Sequence, residues 1–482
     1  MSSAPPSTKA VRPRSDWVIP VLIALGAAAA CMFDLRVLSD GDTYWHLAAG
    51  QWMLAHGQVP HTDPFSYTFA GAPWHAHEWL TEVIMAAAFR AGGWGGSLAL
   101  TGMAVGAAAL ALGAYVRRWL TGTGLLLAMI LALACIAPDL LARPHVLVLP
   151  VVLVWSAALL AAREAGRAPH PALTLVMLAW ANLHGGFVFG FLVLGVLALE
   201  ALLEAEPARR WITARDWGLF GLLSLLAATM NPQGLSGLVF PFRLMAMTSA
   251  SGIDEWKPAD FSTPGPLELS LIAVLFLALS RGLRLRPLRL VLLLGLLHMA
   301  LQHSRHVVIA APLAALLLAE PFARTLEPAP ASARAAPWAP RWAWAVAGLV
   351  ALALLGARLA LPVSRGDGVT TPKSAIDHLP PRLLGQPVLN DYGFGGYLIF
   401  RGVRPFIDGR ADLYGDAFMY RYYAIANGDR AALEATLRRY GVTWTVFVPN
   451  SAQAKLMDRE PGWTRLYADP TAVVHMRDAA AR

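Results

Sequence analysis

Charge is what this chain has least of. Asp, Glu, Lys and Arg make up only 15% of its 482 residues, where a soluble domain carries about 25%. That shortage excludes an ordinary water-soluble enzyme, whose surface needs more polar side chains than are present. Cysteine occurs twice, as Cys31 and Cys135, both inside apolar runs. A disulfide framework and a thiolate metal centre are thereby excluded. The sequence also lacks an internal repeat, a heptad run, an HExxH zinc signature and a nucleotide-binding glycine fingerprint. Gly393, Gly395 and Gly396 stand in YGFGGY, which reads as a turn between strands.

What the chain has in excess is apolar sequence, with 56% hydrophobic residues and a mean hydropathy of +0.50. Uncharged runs at 99–116, 120–137, 146–162 and 187–199 approach the roughly 18 to 20 residues that a bilayer core requires. The fold class implied is a polytopic α-helical membrane protein of about 11 to 13 spans. A net charge of +8 and a pI near 9.7 would point to nucleic acid in a soluble chain. Here the basic residues sit in short clusters between apolar runs, so they set membrane orientation and no nucleic-acid partner is expected.

Lys9, Arg12 and Arg14 precede the apolar stretch 17–33, which reads as an uncleaved first span with residues 1–15 in the cytoplasm. Residues 34–78 then form a first external loop. Arg117 with Arg118, Arg163 with Arg167, Arg209 with Arg210 and Arg215, Arg281 to Arg289, and Arg324, Arg334 and Arg341 mark the cytoplasmic side. The polar turns DLLARPH (139–145), NLHGG (182–186), 231–264 and QHSRH (302–306) therefore share the outer side. Segment 79–93, with Glu82 and Arg90, reads as interfacial or re-entrant, and the NLHGG break implies a protein-lined cavity. The expected organisation is a transmembrane domain over 16–361, with a Pro/Ala-rich cytoplasmic linker at 322–341, and an extracytoplasmic α/β domain over 362–482. In that last domain VLNDY, GYLIF, PFIDG, TWTVFV, WTRLY and AVVHM read as strands, and 431–439 as a helix.

The chemistry is concentrated in the first loop, where Asp40, Asp42, His46, His77 and Glu78 crowd together. Residues 42–56 have helical spacing, with Trp45, Leu47, Trp52 and Leu54 expected in the membrane interface. The Asp-Gly-Asp pair offers oxygen ligands for a shared divalent cation, Mg or Mn. Either carboxylate also suits a general base for an acceptor hydroxyl, and either suits an N-cap of the following helix. Arg143-Pro144-His145 and Ser304-Arg305-His306 put a cation at the outer end of a span. A cation there is costly unless it meets an anion, and a lipid phosphate, held bidentately by Arg143 and Arg305, supplies one. Asn182, His184, Glu255 and Lys257 are further polar groups expected to face the same cavity. FIDGRADLYGD, with Asp408, Arg410, Asp412 and Asp416, is explained by a turn and a local ion pair.

The DGDTYWHL segment with Asp40, Asp42 and Tyr44, the interfacial helix after the first span and the soluble C-terminal domain together resemble the GT-C superfamily. These are membrane glycosyltransferases such as the protein mannosyltransferases and the lipid A aminoarabinose transferases. The resemblance covers the architecture of 16–361, with a short specific motif. It departs from the family where Asp-Gly-Asp followed by Trp-His stands in place of Asp-Glu or a lone Asp. NDYGFGGYL and FIDGRADLYGD are similar to bacterial members. The resemblance implies an inner-membrane hexosyl or pentosyl transferase using a polyprenyl-phosphate donor, with Asp42 as base or metal ligand in an inverting displacement. The competing reading is a non-catalytic envelope-assembly protein. A transporter or flippase is disfavoured, because charges gather at one rim and no repeated halves are visible.

Overall fold

The structure, a computed structural model, describes residues 17–326 and 340–478. The N-terminal tail with Lys9, Arg12 and Arg14, and most of the expected linker with Arg334, lie outside the described residues. The apolar runs form helices, because a backbone in lipid must satisfy its own hydrogen bonds. They are α1 Val18–Phe33, α2 Asp42–His56, α3 Trp79–Val116, α4 Gly122–Ile136, α5 Pro144–Glu164, α6 Thr174–Leu183, α7 Phe187–Leu203, α8 Arg210–Thr229, α9 Leu235–Met245, α10 Pro266–Arg281, α11 Pro287–Gln302, α12 Val307–Leu326 and α13 Arg341–Ala360. Among the described residues, five helical segments, Trp79–Val116, Gly122–Asp139, Pro144–Glu164, Ser304–Leu326 and Arg341–Ala360, are long and apolar enough to cross a membrane. Shorter apolar helices lie between them, and the chain is a multi-pass membrane protein.

Segment 79–93 ends at a sharp break, as a helix separate in geometry from the one that follows it. The run α3 is thus two helices, joined across Gly92 (φ −143°, ψ 19°) and Gly93 (φ 55°, ψ −143°), the second ending at Val116. The positive φ at Gly93 explains why glycine stands at the break. The NLHGG segment does interrupt the helix, separating α6 from α7. Helix α12 extends to Leu326, into the region read as linker. Several arginines read as orientation markers are drawn into ion pairs: buried Arg289 takes Glu200 in two hydrogen bonds of 3.0 and 2.9 Å, and Arg163 reaches the same carboxylate at 3.1 Å.

After α13 come the short helices α14 Lys373–Asp377, α15 Pro381–Leu384 and α16 Gly395–Phe400, then α17 Ala411–Ala426, α18 Arg430–Arg439 and α19 Ala452–Met457. They accompany a four-stranded sheet in the order β1-β2-β4-β3, built from β1 Val388–Asn390, β2 Trp444–Phe447, β3 Trp463–Ala468 and β4 Val473–Arg477. β1 runs parallel to β2, and the other pairs are antiparallel. GYLIF is helix α16 rather than a strand, and PFIDG is irregular. A short apolar run reads alike in both states. The helix α16 lies so close to α2 that a Cβ at Gly396 would sit 2.2 Å from the Gly41 carbonyl oxygen, which is why glycine stands there.

The first loop and the C-terminal domain share one core, in which Trp45, Met53 and Trp74 pack with Phe406, Tyr414, Phe418 and Phe447. Trp45 and Leu47, expected in the membrane interface, are therefore buried inside the protein. The junction is held by charge as well. Arg410 donates to Asp63 at 2.7 Å and to Asp408 at 2.8 and 2.7 Å, with all three side chains buried. Its guanidinium also lies over the rings of Trp74 and Phe65, at 4.8 and 5.2 Å from their centroids. The ion pair read locally within FIDGRADLYGD is thus half of a clamp between the two parts of the chain.

Candidate functional site

The start of α2 is fixed from three directions. Asp40 accepts the Asp42 N–H at 2.7 Å, so its carboxylate does serve the helix start. Thr43 donates to the Ala142 carbonyl at 3.1 Å, and the Ala142 N–H donates to the Val37 carbonyl at 2.7 Å. These bonds lay the DLLARPH turn along the first loop and bring Arg143, the residue before α5, to the two aspartates. From the third side, the C-terminal domain presents Gly409 so closely that a Cβ there would stand 1.9 Å from Asp42 Oδ1.

Arg143 is the hub. Its Nη2 meets Asp42 Oδ2 at 2.8 Å, and its Nη1 meets Asp40 Oδ2 at 3.2 Å and Glu255 Oε2 at 2.5 Å. The other oxygen of Glu255 takes Arg305 Nη1 at 2.9 Å, and the Arg305 guanidinium lies 4.5 Å from the centroid of the Trp256 ring. One carboxylate therefore bridges the two arginines that the sequence analysis put forward as phosphate ligands. Beneath them is a cavity of about 130 Å³, against the roughly 10 to 15 Å³ that holds one water. His46, His77, Glu78, Arg143, His145, His184, Glu255, Arg305 and His306 line it, and Val148, Leu149, Val152, Phe189 and Ile309 supply apolar wall. A lining that combines charged and imidazole groups with an apolar wall matches an amphipathic ligand.

Two residues expected there are elsewhere. Asn182 accepts the Trp79 indole N–H at 3.0 Å and donates to the Leu178 and Met230 carbonyls at 2.8 and 3.0 Å, which ties α6 to its neighbours. Lys257 is exposed and pairs with Asp254 at 2.6 Å. The histidines are held by hydrogen bonds. His145 donates to the Asp139 carbonyl at 2.8 Å, His306 to Met299 at 3.2 Å and His77 to His75 at 3.2 Å. His184 accepts the Gly186 N–H on Nδ1 at 2.8 Å, leaving Nε2–H to face Glu78 at 3.1 Å.

Burial and the neighbouring charges set the protonation of this site. Burial pushes the Asp42 carboxyl up, Arg143 opposes it, and Asp40 and Glu255 push the same way as burial, which brings Asp42 to about 7. Burial would raise Glu255 too, but Arg143 and Arg305 outweigh it and hold Glu255 at about 2. For Arg143 burial works against the charge, and Asp40, Glu255 and Asp42 more than restore it. Burial, then Arg143, keep His46 well below the usual imidazole range, and burial does the same for His184, so both rings are neutral near pH 7.

This arrangement does not fit a Mg or Mn ion shared by Asp40 and Asp42. Both Oδ2 atoms already meet the guanidinium of Arg143, and a dication between them would be repelled by that charge. The group of possible ligand atoms that does converge is another one, formed by His46, Glu78 and Glu82. The sequence reading missed Glu82 as a site residue, although it follows Glu78 by four positions at the start of a helix, where that spacing puts both on one face. Asp139, open to the sequence only as a pairing partner for Arg143, and Trp256 also line the cavity.

No family model matches the chain, and no curated protein matches it. Among solved structures, it is similar to the apo oligosaccharyltransferase of Archaeoglobus fulgidus (12% identity, TM-score 0.48, 88% of this chain and 69% of that one). It is also similar to ArnT from Cupriavidus metallidurans bound to undecaprenyl phosphate (15%, TM-score 0.49, 97% and 99%). A third similarity is to the arabinofuranosyltransferase AftD from mycobacteria (18%, TM-score 0.39, 98% and 42%). All three are GT-C proteins, the superfamily that the sequence resembles. At these identities and TM-scores the similarity transfers neither substrate nor mechanism to this chain.

Proposed function

We propose that this protein is a membrane glycosyltransferase that moves a sugar from a polyprenyl-phosphate donor to an extracytoplasmic acceptor, with inversion at the anomeric carbon. The observation that carries the reading is Arg143, which joins the Asp42 carboxylate to the rim of an amphipathic cavity it shares with Arg305. In this reading the lipid phosphate displaces Glu255 from the two guanidiniums, whose fork geometry suits phosphate oxygens. The first isoprene units enter the apolar wall formed by α5 and α7. Asp42, with its carboxyl near 7, takes the acceptor hydroxyl proton as the hydroxyl attacks and the lipid phosphate leaves. The protein lies in a bacterial inner membrane with its N-terminus inside and residues 362–482 outside, so the site opens where lipid-linked sugars are consumed.

The test is incubation of purified, liposome-reconstituted protein with a panel of radiolabelled polyprenyl-phosphate hexoses and pentoses plus membrane extract as acceptor. The expected result is label moving from lipid to an acceptor fraction with one donor of the panel. No donor consumed and none bound would leave the envelope-assembly reading in its place.

A further inference from the structure

We propose that His46, Glu78 and Glu82 form a binding site for a divalent first-row transition cation such as zinc, behind the part of the cavity wall that His46 and Glu78 line and distinct from the Asp40/Asp42/Arg143 cluster. A ring nitrogen of His46 and one oxygen from each glutamate lie within 4.8 Å of one another. His46 Nδ1 is 3.0 Å from Glu82 Oε1, and Glu78 Oε2 lies 3.8 Å from the ring's other nitrogen, so His46 offers the ion one nitrogen and each glutamate one oxygen. Mixed imidazole and carboxylate ligands suit a borderline cation that takes four-fold coordination. The three residues come from two elements packed face to face, α2 and the start of α3, so the fold sets their spacing.

Three independent features of the site call for a cation. The first is charge: among the described residues only histidines lie within ion-pair reach of Glu78 or Glu82. Two buried carboxylates without a lysine or arginine are costly, and one dication neutralises both. The second is an orphan atom, since Glu82 is 1% exposed and its Oε2 has no hydrogen-bond partner. A buried oxygen of that kind is rare unless an ion or a proton belongs there. The third is an outer ring of support: His184 Nε2, 3.1 Å from Glu78 Oε1, orients that carboxylate, as hydrogen bonds behind metal ligands do. The lone alternative of the same chemistry is a pair of protons on the glutamates, and the experiment separates the two.

The full-length protein, purified in detergent and stripped with a chelator, is titrated with Zn²⁺ and, separately, with Co²⁺. The expected outcome is one metal per chain by elemental analysis, visible d–d absorption with Co²⁺, and a thermal midpoint that climbs with metal concentration. Glu82→Gln and His46→Ala lose that stoichiometry and the absorption band, and Asp40→Asn keeps both. Binding below one tenth of an equivalent in the parent protein overturns the proposal, as does equal binding in Glu82→Gln. The readout is metal content rather than sugar transfer, so its failure leaves the transferase reading untouched, and the converse holds as well.

Discussion

Replacing Asp42 by Asn separates two physical effects, because the same burial that would suit it to the proposed role of base near neutrality also costs the folded protein stability. Its carboxyl stands at about 7 against the ordinary aspartate value of 3.8. At about 1.4 kcal/mol per pH unit, that displacement corresponds to about 4 kcal/mol against the ionised form. The folded state binds the Asp42 proton more tightly than the unfolded chain. Stability from this group is therefore fully present below about pH 4 and is lost as pH rises toward 7. Asn cannot ionise, so Asp42→Asn should match the parent in thermal midpoint at pH 3.5, below the ordinary carboxyl value, and exceed it at pH 8. Turnover should fall in the opposite sense, by about 10² to 10⁴ for loss of a general base. The parent's rate should climb about tenfold per pH unit below 7 and level off above it. The assays are a thermal ramp in detergent at both pH values and the liposome transfer assay. The reasoning fails if Asp42→Asn turns over within threefold of the parent, or melts below it at pH 8.

Glu255→Gln weakens the bridge across Arg143 and Arg305, so a polyprenyl phosphate should bind several-fold more tightly, as read by native mass spectrometry; weaker binding counts against displacement of Glu255 by phosphate. Arg143→Ala leaves Asp40, Asp42 and Glu255 without their shared cation and should cost about 3 to 5 kcal/mol, seen as a lower thermal midpoint. Gly409→Ala puts a methyl group where Asp42 Oδ1 now lies, 1.9 Å away, and should lower turnover at least tenfold without removing any polar group of the site. Arg410→Met breaks the clamp between Asp63 and Asp408, leaves buried charge unpaired at a cost of about 3 to 5 kcal/mol, and should expose the first loop to limited proteolysis.

Membrane class, the helix at 42–56 and the break at NLHGG were legible because each rests on local physics: apolar length, helical spacing, and a polar turn that cannot sit in lipid. Asp40, Asp42, Arg143 and Arg305 could be chosen by residue type, since a cation or a carboxylate at the end of a span is expensive unless it has a partner. Their partners could not. Arg143 lies 103 positions from Asp40 and 112 from Glu255, and no spacing rule spans such distances. Nor did periodicity distinguish α16 from a strand, because its burial is set by the approach of α2 rather than by its own pattern.

The sequence by itself therefore determined the apolar, helical character of this chain, the polar turns that meet at one cavity, and which residue types were available there. Tertiary structure alone decided how they combine: Arg143 with the aspartates, Glu255 between two arginines, Glu82 beside His46, and Gly409 against Asp42. The reason is that burial and charge compensation are properties of a place. A place exists only once helices distant along the chain, and the domain that follows them, have closed around it.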